Sequence, residues 1–475
     1  MEKNGFLCNS KTLFIAFVFL FAILLSTNSV AYAAGLTEHY QEVNDQVSYL
    51  QTNNSIPGKG SFFIRKIVSK ADHDYWTSFR IPGDAGILRY FDDQGNLFET
   101  PLAEGSLPQG RLLFLSTESY NYILGQPYTY RDLGSGTKDW VSSHPIQLKK
   151  DLDGWIVTFR YNLSPGIQGI LWGVGSPQEL VDLDDKDQLR IWSNYDLDGN
   201  ARLLYDGYHY KSPSSYHPST TRSYWRIPSD YLTNSMIRSG GSIASELIGS
   251  SLLKIAHRNM NGEGFLPTLP RSNWLYEDYG IGAGFFDTRF NADTIETNIV
   301  AFRRYGDSVY RDVATRLAGY YLDHGKNNKY VVNDPTVGEG WLIHDYYHPA
   351  GMENHTSLNH QLQAVHSFLL LYESEDNPEY LEFARKMING IKITRDMWIM
   401  EDGNLEYAYM PDGSMGLVDY DYLTYNDLLN VQEALVRITG EVDQDLQILM
   451  ESKRLWMDRN NVSGYRKTED MTNPS

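Results

Sequence analysis

The sequence predicts an α+β protein of several domains: an N-terminal antiparallel β domain, sandwich or barrel, followed by an α/α toroid of helical hairpins. Three observations point there. Apolar residues alternate with a period of two over residues 60–230, they recur with a period of 3.6 from about Ser239, and short acidic turns punctuate the helical half at regular spacing. With 475 residues, 41% hydrophobic and 13% aromatic, the chain has material for two or three cores.

Taken in order, Lys3 and Lys11 precede an apolar run from Leu13 to Leu25, followed by Ala31-Tyr32-Ala33. A charged start, a short apolar run and a small-x-small site make residues 1–33 a secretory signal peptide. An uncleaved anchor is the alternative, but a bilayer span needs about 20 apolar residues and this run is shorter. Cys8 is the only cysteine and precedes that run. The mature chain is therefore expected to be secreted or held in the cell envelope without disulfides.

Residues 34–59 form an N-terminal segment in which Leu36 to Gln51 reads as a short helix. In the β-rich domain, residues 60–230, Trp155, Val157, Phe159, Tyr161 and Leu163 alternate with more polar neighbours as in a half-buried strand. Similar runs occupy Phe62 to Val68, Ile87 to Phe91, Leu112 to Leu115 and Leu189 to Trp192. Asp92 to Asn96 and Asp151 to Gly154 are turns suited to antiparallel strands. Ser212 to Thr221 reads as a boundary loop.

The helical domain spans residues 239–460, before a polar tail, 461–475. Helices are predicted over Ile243–His257, Ala292–Arg304, Val309–Tyr321, Leu358–Tyr372, Tyr380–Ile391, Leu423–Thr439 and Leu446–Met457. Turns at Gly306, Glu375 and Gly440 are 69 and 65 residues apart, the signature of a repeated hairpin. Such hairpins close into a toroid or stack as an open solenoid. Long aromatic loops at Asn261–Gly284, Tyr330–Glu353 and Met400–Tyr420 favour a toroid with one working end.

A formal charge of -19 argues against nucleic acid or an anionic membrane surface as the main partner. The 34 tyrosines and 10 tryptophans suit stacking on sugars, and Trp274 and Tyr276 are the candidates in the first loop. Around the predicted start of the Leu358 helix, where Thr356 or Ser357 is the expected cap, stand His344, His348, Asn354, His355, Asn359 and His360. Imidazoles there can carry protons, and amides can bind a carboxylate. No HExxH is present, and His355 and His360 are five apart, so no metal site is predicted. Tyrosines near the last helix pair, Tyr407 and Tyr422 among them, can act as general acids or bases. Asn194, Asp196 and Asp198 partly match a calcium-loop pattern that lacks its final Glu, which leaves calcium near Asp196 and Asp198 a minor expectation.

These motifs together resemble the catalytic domain of the D-glucuronyl C5-epimerases. The resemblance runs through Gly264-Phe265-Leu266-Pro267, a helix from Gly284 to the Gly306-Asp307 turn, and His344-Asp345-Tyr346-Tyr347 leading to Leu358-Asn359 and Leu371-Tyr372-Glu373. Asp421-Tyr422-Leu423-Thr424 matches a late Asp-Tyr-x-Thr. It covers about Lys254 to Gly440. The resemblance implies an α/α toroid, an acidic polysaccharide substrate and catalysis by tyrosines, with Tyr422 the best match and Tyr407 a looser one. Where the family has Glu-Glu-Tyr-Pro, this chain has Tyr347-His348-Pro349-Ala350, so Tyr347, His348 and Glu353 are the candidate replacements.

The expected activity is thus C5 proton abstraction and epimerisation of a uronic acid residue without a required cofactor. Asn354, His355, Asn359 and His360 would bind substrate. Loss of the 4-linked oxygen would instead make it a lyase. Two rival classes are a glycoside hydrolase using Glu353, Asp345, Asp419 or Asp421, and a non-catalytic glycan-binding envelope protein.

Overall fold

The computed structural model describes residues 35–197, 199–229 and 231–466. The predicted signal peptide, Asp198 and the end of the polar tail lie outside them. Up to Arg226 the described chain is dominated by antiparallel strands in two facing sheets, one of thirteen strands and one of four. Gly154–Leu163 pairs with His73–Pro82 and with Ile146–Asp151, while Gly60–Ser69 pairs with Ile167–Ser176. Val157, Phe159 and Tyr161 from the small sheet meet Ile67, Leu113 and Leu115 from the large one, all fully buried. The β domain is therefore a sandwich.

Two predictions in this half fail. Leu36–Glu42 and Val47–Ile56 are antiparallel strands, not a helix. Between them the Asn44 side chain accepts the Gln46 and Val47 N–H groups at 2.8 and 2.9 Å, a local turn that interrupts helical geometry. Leu189 to Trp192 belongs to a helix, α1 (Lys186–Leu197), started by Asp185, which accepts the N–H groups of Asp187 and Gln188. Trp192 fills the outer face of the large sheet beside Trp172, with Leu247 and Ile248 behind it. Both faces of that sheet are covered, which is why Ile170 to Val174 is almost continuously apolar.

The remaining helices are α2 (Tyr231–Ser239), α3 (Ile243–His257), α4 (Asn273–Tyr279), α5 (Thr288–Tyr305), α6 (Ser308–Asn327), α7 (Leu358–Glu375), α8 (Pro378–Ile393), α9 (Leu423–Thr439) and α10 (Gln444–Arg459). The pairs α5–α6, α7–α8 and α9–α10 are three hairpins that turn through left-handed caps at Gly306 and Asp376 and at Gly440. Helices α5, α7 and α9 pack side by side as an inner row, with α6, α8 and α10 outside. The hairpin is thus the repeating unit, arranged as an arc. Every residue of α7 from Leu358 to Leu371 is buried, so the expected single apolar face is replaced by a helix enclosed on all sides.

Two predicted loops contain strand hairpins: Lys329–Asp334 with Gly338–Ile343, and Glu406–Tyr409 with Met415–Val418. The first lies against α8 through Gly340 and Gly390. A Cβ on Gly390 would stand 2.3 Å from the Trp341 carbonyl oxygen, so only glycine permits this approach. Gly390→Ala is expected to destabilise the fold by about 1–3 kcal/mol through overpacking. A lower urea midpoint with unchanged slope would show it.

Candidate active site

The first turns of α5, α7 and α9 meet at one place. Phe286–Asp287 pairs with Tyr346–Tyr347, and Thr356–Ser357 pairs with Glu406–Tyr409, which ties the helix entrances together. Arg289, in α5, donates Nη1 to the Asn359 carbonyl of α7 at 3.0 Å and Nη2 to Asp427 of α9 at 3.2 Å. Its Nε reaches Asp293 at 3.2 Å. Three helix N-termini, each carrying a partial positive charge, therefore surround this point. The β domain reaches it too: Tyr216–His217 pairs with Arg271–Ser272, and Ser229 donates to Asp293 at 2.9 Å.

Asp345 forms the floor and has no exposed surface. Its Oδ1 accepts the Ser357 N–H at 2.9 Å, and its Oδ2 accepts the Ser357 hydroxyl while lying 3.3 Å from His355 Nε2 and 3.6 Å from His360 Nδ1. Burial opposes ionisation, but the two imidazoles and the Ser357 donor outweigh it and hold the carboxyl below the usual range. Ser357 is the residue before α7, as predicted, yet its side chain makes no cap hydrogen bond because Asp345 holds it.

His355 Nδ1 lies 3.0 Å from the Tyr279 hydroxyl. The tautomer of His360 follows from its neighbours. Thr288 Oγ1 donates its one proton to the Asp345 carbonyl at 2.8 Å and sits 2.9 Å from His360 Nδ1, so Nδ1 is the donor and Nε2 carries the lone pair. Burial draws this imidazole down to about 4, leaving it neutral in neutral solution.

Asp287 is the second carboxyl. It precedes α5 and accepts the Phe290 N–H at 3.0 Å. Burial pushes it up to about 8, with Asp345 and Asp293 adding to the shift, so it holds a proton at neutral pH. The phenols of Tyr216, Tyr231, Tyr346, Tyr407 and Tyr420 all lie near its carboxyl. Burial also raises the Tyr407 phenol, as do Asp345 and Tyr420. The Tyr420 and Tyr407 rings meet edge to face, 5.8 Å apart. Tyr420, Tyr407, Ser357 and Asp345 thus stand as neighbours in one row, with Ser357 hydrogen-bonded to Asp345. Trp274 walls it, 5.4 Å from His355 and 6.4 Å from Tyr346. The buried Asn359 Oδ1 has no hydrogen-bond partner among the described residues.

No family model matches this chain. No curated protein matches it either. Solved structures similar to it include the GH76 α-mannanase BT2949 of Bacteroides thetaiotaomicron, 16% identical over 48% of this chain and 58% of that one, with a TM-score of 0.34. A D-mannose isomerase is 14% identical over 50% and 61%, TM-score 0.36. A family 76 glycoside hydrolase from a bovine Bacteroides thetaiotaomicron strain is 10% identical over 85% and 76%, TM-score 0.36. The chain thus spans less than two thirds of the first two. Likeness at this level assigns neither family nor activity, and the glucuronyl C5-epimerase resemblance stands on its sequence motifs alone.

Among the predicted residues, His355, His360, Asn359, Trp274 and Tyr407 come together here. Asn354 is adjacent but occupied: its amide donates to the Tyr346 carbonyl at 2.8 Å and accepts the Tyr346 N–H at 3.0 Å, so it positions that strand. The others are placed elsewhere or differently. The Tyr422 ring lies against Gly464, and Tyr420, two residues earlier, reaches Tyr407 instead. Tyr347 turns from Tyr346 toward His324, 6.0 Å away, because neighbours on a strand face opposite sides. The His348 ring packs on Gly282 and its Nδ1 accepts the Ala350 N–H. Glu353 and Asp421 are exposed. Tyr276 stacks under Arg271, and Asp419 is buried on Lys453 at 2.8 Å.

Asn194 and Asp196 lie within α1 rather than in a loop, and Asp196 accepts the Leu112 N–H and the Gln126 amide. Among the described residues no group of three or more acidic, His or Cys side chains is arranged to hold a metal. No described helix is long and apolar enough to cross a membrane. Sequence reasoning misses Asp287 and Tyr420, with Tyr216 from the β domain and Tyr231 at the start of α2. Asp287 has a readable signal, an acidic cap three residues before Phe290 in a glycine-rich loop.

The pair of carboxyls makes a pH prediction. Because Asp287 binds its proton up to about 8, a rate that needs this acid falls as pH rises through about 8. Asp287→Asn keeps a good helix cap and is expected to remove that alkaline limb, as a pH–rate profile would record.

Proposed function

We propose that this protein is an exported enzyme that moves the C5 proton of a uronic acid residue in an acidic polysaccharide, epimerising it. The observation that carries this reading is the ionised Asp345 holding the Ser357 hydroxyl beside the Tyr407 phenol, placed where three helix N-termini converge. A uronate carboxylate bound there meets positive helix ends, the Asn359 amide and the proton on Asp287. Withdrawing its negative charge acidifies the neighbouring C5–H. Tyr407 takes that proton as its own passes to Ser357 and the Ser357 proton to Asp345. Inversion needs a proton returned from the opposite face of C5, the role we assign to Tyr420, whose ring meets that of Tyr407 edge to face, and the exposed aromatic wall at Trp274 suits the sugar faces. The signal-like N-terminus and acidic overall charge agree with an extracellular glycan and disfavour nucleic acid.

A second reading has its own observation. Asp287 neutral and Asp345 ionised are two carboxyls whose environments drive their proton affinities apart, which is also what a glycoside hydrolase requires. Products separate the two, and the lyase outcome as well. Incubated with uronic acid polymers, the enzyme is expected to leave chain length and ultraviolet absorbance unchanged while inverting C5. New reducing ends would establish hydrolysis, and absorbance of an unsaturated sugar would establish elimination. Tyr407→Phe is expected to lower turnover by about 10²–10⁴-fold without unfolding the protein, read from initial rates and circular dichroism.

A further inference from the structure

A second charged cavity lies at the far end of α5. Arg190 of α1, Arg238 of α2, and Arg303 and Arg304 of α5 line a groove of about 730 Å³ that contains, among the described residues, one carboxylate, Asp187. This concentration is unusual in a chain with 60 acidic and 41 basic residues. Arg238 pairs with Glu296, and Arg303 contacts Glu373, which Arg437 also holds at 2.8 Å. Arg190 pairs with the exposed Asp187, at 3.1 Å. Arg304 donates to the carbonyls of Ile237 and Arg238 at 2.8 and 3.3 Å and pairs with no carboxylate among the described residues.

Helix ends explain part of this. Arg238 and Arg303 with Arg304 occupy the last turns of α2 and α5, where a cation meets the negative end of the helix. Arg190 does not: it is in the middle of α1, yet it faces the same groove. Guanidinium groups present planar forks that match carboxylate and sulfate oxygens. Arg303 follows Arg289 by fourteen residues on one helix, roughly 21 Å at 1.5 Å per residue, so the groove is separate from the catalytic entrance.

We propose that this groove is an anion-binding exosite for the carboxylate or sulfate groups of an acidic polysaccharide, gripping a long chain away from the residue that reacts. The proposal rests on the acidic-polysaccharide reading above for its ligand, not for the charge of the groove. The strong net negative charge of the chain favours a flexible glycan strand over a broad anionic membrane, which would be repelled around the groove.

The test measures binding of fluorescent polyglucuronate, dextran sulfate and uncharged dextran to the full-length protein, at several salt concentrations. The wild type is expected to bind the two anionic polymers in a salt-sensitive way and to ignore dextran. R190Q/R303Q is expected to weaken both by roughly tenfold or more, R190K/R303K to recover part of the loss, and turnover of short uronate oligosaccharides to stay unchanged. R190Q alone, on a solvent-exposed side chain, gives the same direction should the double variant be unstable. Undiminished binding of both polymers by the glutamine variants overturns the exosite while leaving the catalytic reading intact. Loss of dextran sulfate binding in R190Q/R303Q, with no polyglucuronate bound or turned over by the wild type, keeps the anion groove and overturns its uronate ligand. Tighter arginine-dependent binding to phosphatidylserine vesicles than to either glycan overturns the glycan assignment.

Discussion

Asp345→Asn is expected to lower turnover by about 10²–10⁴-fold, the size of effect expected when a positioned acid or base is removed. The carboxylate accepts the Ser357 hydroxyl, lies beside both imidazoles and would end the proposed relay from Tyr407. An amide is similar in size but cannot receive the relayed proton. The substitution is also expected to change acid stability. Asp345 has a folded proton affinity below its unfolded value, so its contribution is complete above about pH 4 and is lost as pH falls through the folded value. His360 adds in the same direction: with a folded value of about 4 against an unfolded 6.5, it is neutral in the fold, and stability falls between pH 6.5 and 4 as the unfolded chain binds the extra proton. Thermal midpoints of wild type and Asp345→Asn across pH 3–7 should therefore converge toward the acid end.

Arg289→Met is expected to destabilise the protein by about 3–5 kcal/mol, the cost of removing one partner from a buried ion pair. The guanidinium joins the first turns of three helices, and its removal leaves Asp427 and Asp293 facing each other without a cation. Asp293 already sits high, at about 6, because of burial, so it would take up a proton in the variant. Equilibrium denaturation with guanidinium chloride measures the loss. Arg289→Lys is expected to restore only part of it, since a single ammonium cannot span the three acceptors.

The helical half was readable because its signals are local and repeat. Gly306 and Gly440 end helices in left-handed caps, and the 3.6 period between them is strong. The β sandwich was readable where one face is core, as in Trp155 to Leu163, and was lost where a turn or cap decided the matter. The Asn44 turn converted an apparent helix into strands, and the Asp185 cap converted an apparent strand into a helix. In the candidate site, the crowding of imidazoles and amides pointed to the α7 entrance, where His355 and His360 flank Asp345. It did not reveal which member of each alternating pair faces inward. Tyr346 and Tyr347 differ by one strand position, and Tyr420 lies two residues before Tyr422; sequence motifs do not carry that orientation. Asp287 reaches the site only through a strand pair with Tyr346, a contact across 59 positions that periodicity does not encode.

The direct measurement is proton exchange at carbon. A uronic acid polymer that binds the protein, incubated with it in heavy water and followed by nuclear magnetic resonance, is expected to gain deuterium at C5 and to invert there while the chain stays uncut, and Tyr407→Phe should slow both by about 10²–10⁴-fold. A polymer that is bound and turned over with its C5 proton retained would contradict proton transfer at C5.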